Sequence, residues 1–270
     1  MVSVRIGDCL LRVLDDGTWS FPARAFFANV PEDVWRRELE TDREGRIAVG
    51  HNHAVLQAGE ELVLVDTGYG DDTHGGATGR LTRAFDATGH RREDVTCVVT
   101  THGHGDHLQR HTERRGGRRE PTFPRARYYL ARADWEWFCG PGHLREFGEQ
   151  MSVIACRGAL VLFDGERELW PGVRLLPTPG HTPGHTSVWV ESGGACALLL
   201  GDVCHHPLHF AHPDWVSSFD THPRQTPATR AWLLARAAQR DALVLCPHAP
   251  HPGLGRVRRA DHGYRWEPWQ

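Results

Sequence analysis

Four separate apolar runs in this chain each end on histidine or aspartate, and that repetition limits the fold more than any other feature. Residues 95–100 lead into Thr101-His102-Gly103-His104-Gly105-Asp106-His107. Residues 173–176 lead into Pro177-Thr178-Pro179-Gly180-His181, residues 196–200 into Gly201-Asp202, and residues 243–246 into Pro247-His248. Short continuous apolar runs bounded by Gly and Pro read as buried strands. Polar side chains at the ends of strands in one rigid scaffold can converge on a point although they lie far apart in sequence. The chain is therefore expected to carry buried sheet whose strand ends share a common edge.

The rest of the sequence agrees with that frame. Strands are expected at 2–6, 9–14, 47–57 and 61–66, the last closing in Asp66-Thr67-Gly68, and a less regular stretch follows Asp15-Asp16-Gly17. Residues 78–89 have near-helical apolar spacing and stop at Gly89. Residues 128–131 read as strand and 132–138 as the start of a helix. Three short strands fit 158–176, and a hairpin turns at Gly193-Gly194. Residues 225–240 form the clearest amphipathic helix, with Pro227 near its start, and strand 242–246 follows. Residues 110–127, polar and rich in Arg and Gly with Pro121 and Pro124, read as a surface excursion. Strand runs at both ends, each followed by helices, predict one α/β (α+β) domain over 1–270, with two mixed sheets face to face and helices outside.

Composition narrows the partners. A net charge of -3 with dispersed basic residues gives no surface for nucleic acid or an anionic membrane. All 31 basic residues are Arg, which excludes lysine chemistry. The N-terminal residues alternate like a strand and lack the pattern of a secretory leader, and no apolar run nears the roughly 20 residues of a membrane helix, so a soluble cytoplasmic protein is expected. The seven cysteines form no CxxC pair and a disulfide scaffold is not expected; several sit in apolar runs and read as buried thiols, and Cys204 reads as structural. The anomaly is histidine, present 19 times and crowded at 102–111.

Imidazole suits zinc and related first-row ions, and a carboxylate adds charge and a harder donor. In THGHGDH, His102 and His104 can face one way from extended backbone. Gly103 and Gly105 permit the tight turn that aims Asp106 and His107 at a second position. Four such groups within six residues exceed one tetrahedral site once others join, so two adjacent ions are expected.

With its later Gly-His, Gly-Asp and strand-end His, this HxHxDH pattern resembles the metallo-β-lactamase superfamily over most of the chain, from Asp66-Thr67-Gly68 to His248. The resemblance implies a four-layer αββα sandwich. It also implies that His102, His104 and His181 hold one divalent ion, that Asp106, His107 and His248 hold the other, that Asp202 bridges them, and that Asp66 is a buried structural carboxylate. Zn2+ is the expected metal, with Mn2+, Fe2+ and Co2+ open. Further stretches look like the branch of acyl-homoserine lactonases and organophosphorus-ester hydrolases: Asp15–Phe21, Pro121-Thr122-Phe123-Pro124 before Tyr128-Tyr129, Asp134-Trp135-Glu136-Trp137, and Gly201–Pro207. One departure is His205, which stands where the best-known lactonases carry a substrate-contacting Tyr.

The implied reaction is attack by a metal-bridging hydroxide on a lactone or carboxylic ester of a small molecule. Asp106 and Asp202 position the ions and can accept a proton, and His205 is a candidate substrate contact. A phosphotriester or phosphodiester is the alternative substrate, and a thioester or β-lactam a further one. A di-iron redox protein fits less well because His104 stands where that variant has Glu, and a non-catalytic metal-binding protein is the reading outside enzymes. The partner is a small-molecule substrate, with a homodimer open. His185 reads as a packing or supporting residue. His51, His53, His111, His143, His209, His212, His222, His251 and His262 lack motif support and are expected to be solvated or satisfied in the core. Trp135 and Trp137 are expected in the core, and Phe21, Phe26 and Phe27 in the core or as a lip over the site.

Overall fold

A computed structural model describes residues 2–270. The first sheet begins with β1 (Val2–Ile6), β2 (Cys9–Pro22), β3 (Arg46–Ala58), β4 (Glu61–Val65) and β5 (Cys97–Val99). A separate hairpin of β6 (Thr112–Arg115) and β7 (Arg118–Pro121) intervenes. The chain then returns to the first sheet as β8 (Arg127–Ala131) and β9 (Leu160–Phe163), giving the order β1-β2-β3-β4-β5-β8-β9. Pairings are antiparallel as far as β4 and parallel beyond it.

The second sheet takes its strands in sequence: β10 (Arg167–Trp170), β11 (Val173–Pro177), β12 (Thr186–Ser192), β13 (Ala195–Leu199), β14 (Leu243–Leu245), β15 (Leu254–Arg259) and β16 (Tyr264–Pro268). Only β13 and β14 pair in parallel.

Alternation along the strands sorts the apolar residues into layers. Val63, Val65, Cys97 and Val99 of the first sheet meet Val188, Val190, Ala197 and Leu199 of the second in one core. The intervening Leu62, Leu64 and Val98 turn outward onto Leu81 and Phe85 of helix Leu81–Asp86 and onto Ile154 of helix Arg145–Cys156. On the other side Trp189, Leu198 and Val244 pack against Leu233, Leu234 and Ala237 of helix Thr226–Gln239. The result is the expected αββα sandwich of two mixed sheets. Each fully buried Val or Leu stabilises it by roughly 1.5–3 kcal/mol.

Three local expectations change. β2 continues to Pro22 because a bulge between Asp15 and Gly17 absorbs the irregularity. Gly17 sits at φ 120°, where a Cβ would fall 2.0 Å from Ala77 O. The Arg-rich excursion is a hairpin turned by Gly116 (φ 55°) and Gly117 (φ 81°), a two-residue connection of the kind that suits twisted strands. Trp135 and Trp137 are half-buried at the edge of the cluster around Phe138 and Phe147. All seven cysteines are free, with Cys204 buried and Cys139 and Cys156 exposed. Among the described residues, no helix is long and apolar enough to cross a membrane.

Candidate metal centre

β4, β5, β11, β13 and β14 all release the chain at the same edge of the sandwich, and buried groups tie the emerging loops together. Asp66, just past β4 at φ 61°, accepts from Thr101 N and Thr101 Oγ1 (both 2.7 Å) and from His107 Nδ1 (2.8 Å). Asp134 accepts from Gly103 N (3.1 Å), Thr182 Oγ1 (2.9 Å) and Gly184 N (2.6 Å), joining the loop after β5 to the loop after β11. His185 Nε2 accepts from Asp202 N (2.8 Å), while its Nδ1 faces Thr178 Oγ1 (2.8 Å). Burial holds this imidazole neutral, with a pKa lowered to about 3. It is the supporting residue expected from sequence.

The same logic fixes four further rings. Nδ1–H of His102 meets Thr101 Oγ1 (3.1 Å), that of His107 meets Asp66, that of His181 meets Asp220 Oδ1 (3.0 Å), and that of His248 meets Gly50 O (2.9 Å). With each outer nitrogen donating, each Nε2 lone pair points inward. Asp202 receives them on both sides. Its Oδ2 lies 3.7 Å from His102 Nε2 and 3.5 Å from His181 Nε2, and its Oδ1 lies 3.3 Å from His107 Nε2 and 3.1 Å from His248 Nε2. His104 Nδ1 is 2.9 Å from His181 Nε2. Asp106 Oδ2 is 3.4 Å from His107 Nε2 and 3.6 Å from His248 Nε2.

Donors on a tetrahedral first-row ion with bonds of about 2.0–2.1 Å stand roughly 3.3 Å apart, close to most of these separations. His102 Nε2, His107 Nε2 and Asp202 Oδ1 are buried with no hydrogen-bond partner. Each such orphan costs roughly 1–3 kcal/mol unless something else satisfies it. A divalent cation is the partner this donor chemistry fits. The electrostatics agree: burial alone would raise Asp202, yet His248, His107 and His102 hold its carboxyl well below the usual range. Burial opposes charge on His107 and His248, but the surrounding carboxylates push both upward, so the negative groups here favour positive charge at Nε2, and a metal cation would take the place of a proton there.

All seven residues singled out as ligands thus lie in one place. His205 lies beside them, with Nε2 3.4 Å from Asp202 Oδ2 and no hydrogen-bond partner on either ring nitrogen. Of the histidines without motif support, His111 is satisfied between Thr67 and Thr100, and His209 by Phe26 O. His51 and His53 depart from expectation, being buried and unpartnered on all four ring nitrogens. Two histidines two apart in a buried strand share a face, and that spacing was the only signal available. Asp220 also escaped sequence reasoning, since a lone Asp in a loop carries no pattern, and Asp134 was noted only within the stretch Asp134–Trp137, with no role as a clamp between loops.

Above the ligand array opens a cleft of about 480 Å³, counted to its mouth. Phe21, Phe26, Val49 and Phe219 form an apolar wall, and Tyr69 and His51 stand opposite His205. No arginine lines it. Phe27 instead packs in the core with Trp35 and Trp215.

Residues 46–248 match the family described as the metallo-beta-lactamase superfamily. A probable metallo-hydrolase of Mycobacterium tuberculosis is 26% identical, covering 73% of this chain and 73% of its own length. An N-acyl homoserine lactonase of a Bacillus species is 29% identical over 45% of this chain and 43% of its own. Among solved structures, the hydrolase AbOPH superposes with a TM-score of 0.87 at 22% identity, covering 99% of this chain and 97% of its own. AidC, a dizinc quorum-quenching lactonase, superposes at 0.86 and 23% identity, covering 100% and 97%. At these identities the superpositions establish the fold.

Proposed function

This chain belongs to the metallo-β-lactamase superfamily of metal-dependent hydrolases, and from that premise we propose that it cleaves a lactone or carboxylic ester of a small, neutral, partly apolar molecule at a site for two divalent ions. His102, His104 and His181 would hold one ion, Asp106, His107 and His248 the other, with Asp202 between them; zinc suits the nitrogen-rich set. Such ions, when bound, polarise a carbonyl or phosphoryl oxygen and acidify water near neutral pH.

The chain's own groups divide the remaining work. Asp66, Asp220, Thr101 and Gly50 fix the ring tautomers from outside, so the inward nitrogens need no rearrangement. Asp106 and Asp202 are placed to take the proton lost by an attacking water. His205 lies at the junction of wall and ligand array, where a ring N–H can meet the ester carbonyl. Phe21, Phe26 and Phe219 exclude water from an acyl or alkyl group.

The observation that carries the substrate class is the cleft lining: apolar walls over the donor array, with no cationic side chain. Apart from the ions, the cleft offers a phosphodiester no cationic side chain for its negative charge. A neutral phosphotriester is the second reading, since the same lining accepts it. The lactonase named among the relatives, and the AidC complex with N-hexanoyl-L-homoserine product, favour the first.

The test is metal content on protein purified without chelator, with turnover of lactones, aryl esters and aryl phosphotriesters before and after Asp202→Ala. The expected result is about two ions per chain in the parent and metal-dependent lactone or ester hydrolysis that drops beyond the roughly 10–100-fold that outer partners cost. A metal-free parent, or unchanged turnover in Asp202→Ala, would overturn the reading.

A further inference from the structure

The ligand set taken from sequence motifs leaves one buried donor beside the site unused. His51 lies in β3 opposite Gly17, at the bulge in β2, and is only 1% exposed. Its Nδ1 is 3.6 Å from Asp106 Oδ2, the same separation as His248 Nε2 from that oxygen. Donor atoms of His51, Asp106 and His248 all lie within 4.8 Å of one another, and His107 Nε2 lies 3.4 Å from the same Asp106 Oδ2. Neither ring nitrogen of His51 has a hydrogen-bond partner.

A purely structural role does not account for these facts. The positions on the same face of β3 to either side, Val49 and Val55, are filled by valine, which packs without leaving polar atoms unsatisfied. An imidazole buried without partners costs roughly 1–3 kcal/mol for each unsatisfied group. The orphans His102 Nε2 and His107 Nε2 are explained by a cation in front of them, and His51 stands in the same relation to Asp106.

We propose that His51 is a further protein ligand of the second ion, joining Asp106, His107, His248 and Asp202. The inference rests on the dinuclear reading above and extends it. Five nitrogen and oxygen donors exceed a tetrahedral zinc site, so this position favours first-row divalent ions that accept five or six ligands, such as Mn2+, Fe2+ or Co2+. The first position, with three histidines and Asp202, keeps a four-donor set. The two positions therefore differ in metal preference.

The test uses the full chain stripped of metal and titrated with Co2+, for the parent, His51→Ala and His51→Gln. Calorimetry reads the affinity of each equivalent, and proton NMR counts the imidazole N–H signals shifted by the bound paramagnetic ions. Both variants are expected to keep the first equivalent, to weaken the second by more than the roughly 10–100-fold of an outer partner, and to lack one shifted imidazole N–H. His51→Gln retains the side-chain bulk and carries the test should His51→Ala fail to fold. A parent-like second affinity with the full set of shifted signals would overturn the role of His51 and leave the dinuclear reading standing. A parent that takes up no second equivalent would overturn both.

Discussion

The floor and the wall of the cleft are built by different rules. The floor ligands named from sequence all follow strand ends, and their positions are inherited from the sheet below: His102 from β5, His181 from β11, Asp202 from β13, His248 from β14. The wall adds to Phe21 of β2 and Val49 of β3 two segments that lie outside the sheets. Residues 23–30 and 215–220 are zipped by Ala28 N to Val216 O (2.8 Å) and Ser218 N to Ala25 O (2.7 Å). Their rings then meet edge to face, Phe26 with Phe219 at 5.6 Å and Phe21 with Phe26 at 5.9 Å. Metal chemistry tolerates little displacement and sits on strands, whereas substrate fit sits on the part that can vary without disturbing it.

Asp220 gives the strongest way to break that division, because it belongs to the wall segment yet reaches the floor. Its Oδ1 takes the Nδ1 proton of His181, and its Oδ2 accepts Ser217 N (3.0 Å). Removing it frees His181 to rotate or change tautomer. Asp220→Ala is expected to weaken the ion held by His102, His104 and His181 by roughly 10–100-fold, measured by chelator competition, while the other ion is unaffected. Unchanged affinity would mean that the sheet alone orients His181.

Asp134 tests whether strands suffice for the floor. Burial pushes its carboxyl up to about 6, against hydrogen bonds from Thr182, Gly184 and Gly103. The unfolded chain releases this proton near the ordinary 3.8. Between these values the folded state holds more proton at Asp134 than the unfolded chain does, so this group's contribution to stability falls as pH rises through about 4 to 6 and then levels off. Asp134→Asn should remove that fall, on the order of 3 kcal/mol, read as the difference from the parent by urea unfolding across the window. Other groups act over the same window in parent and variant alike: burial also raises Asp16 to about 6, and it lowers histidines such as His111 and His185 to about 3, which works in the opposite direction. Parallel slopes in parent and variant would show a carboxylate already ionised at pH 4.

The same division explains what could be read from sequence. THGHGDH, PGH, Gly-Asp and Pro-His were legible because each donor directly follows an apolar run, and local order alone places it. The sandwich was legible because inward and outward residues alternate along strands such as β4. Asp220 and Phe219 were not, since nothing near them in sequence encodes contact with His181 or with Phe21 and Phe26. The hairpin β6–β7 was hidden for another reason: its strands are polar on both faces, so no hydrophobic period marks them, and the segment reads only as a surface excursion. His51 was visible in the sequence but without meaning until the register against Gly17 showed which way it faces.

Phe219 offers the smallest effect and the cleanest separation of wall from floor. It is 41% exposed, touches Phe21 and Phe26, and lies 6.2 Å from the ring of His205. Truncation removes part of one wall and no ligand. Phe219→Ala is expected to leave metal content and kcat for the smallest ester unchanged, while raising KM for longer acyl chains. The cost is roughly 1 kcal/mol, about fivefold in kcat/KM, as expected for a few tens of Å² of lost apolar contact. Steady-state kinetics on a series of increasing chain length would resolve it, because the loss should grow with length and then plateau once the chain outruns the ring. A uniform loss at every length, together with weaker metal binding, would show instead that disturbing Phe219 displaces its neighbour Asp220, and that wall and floor move as one unit.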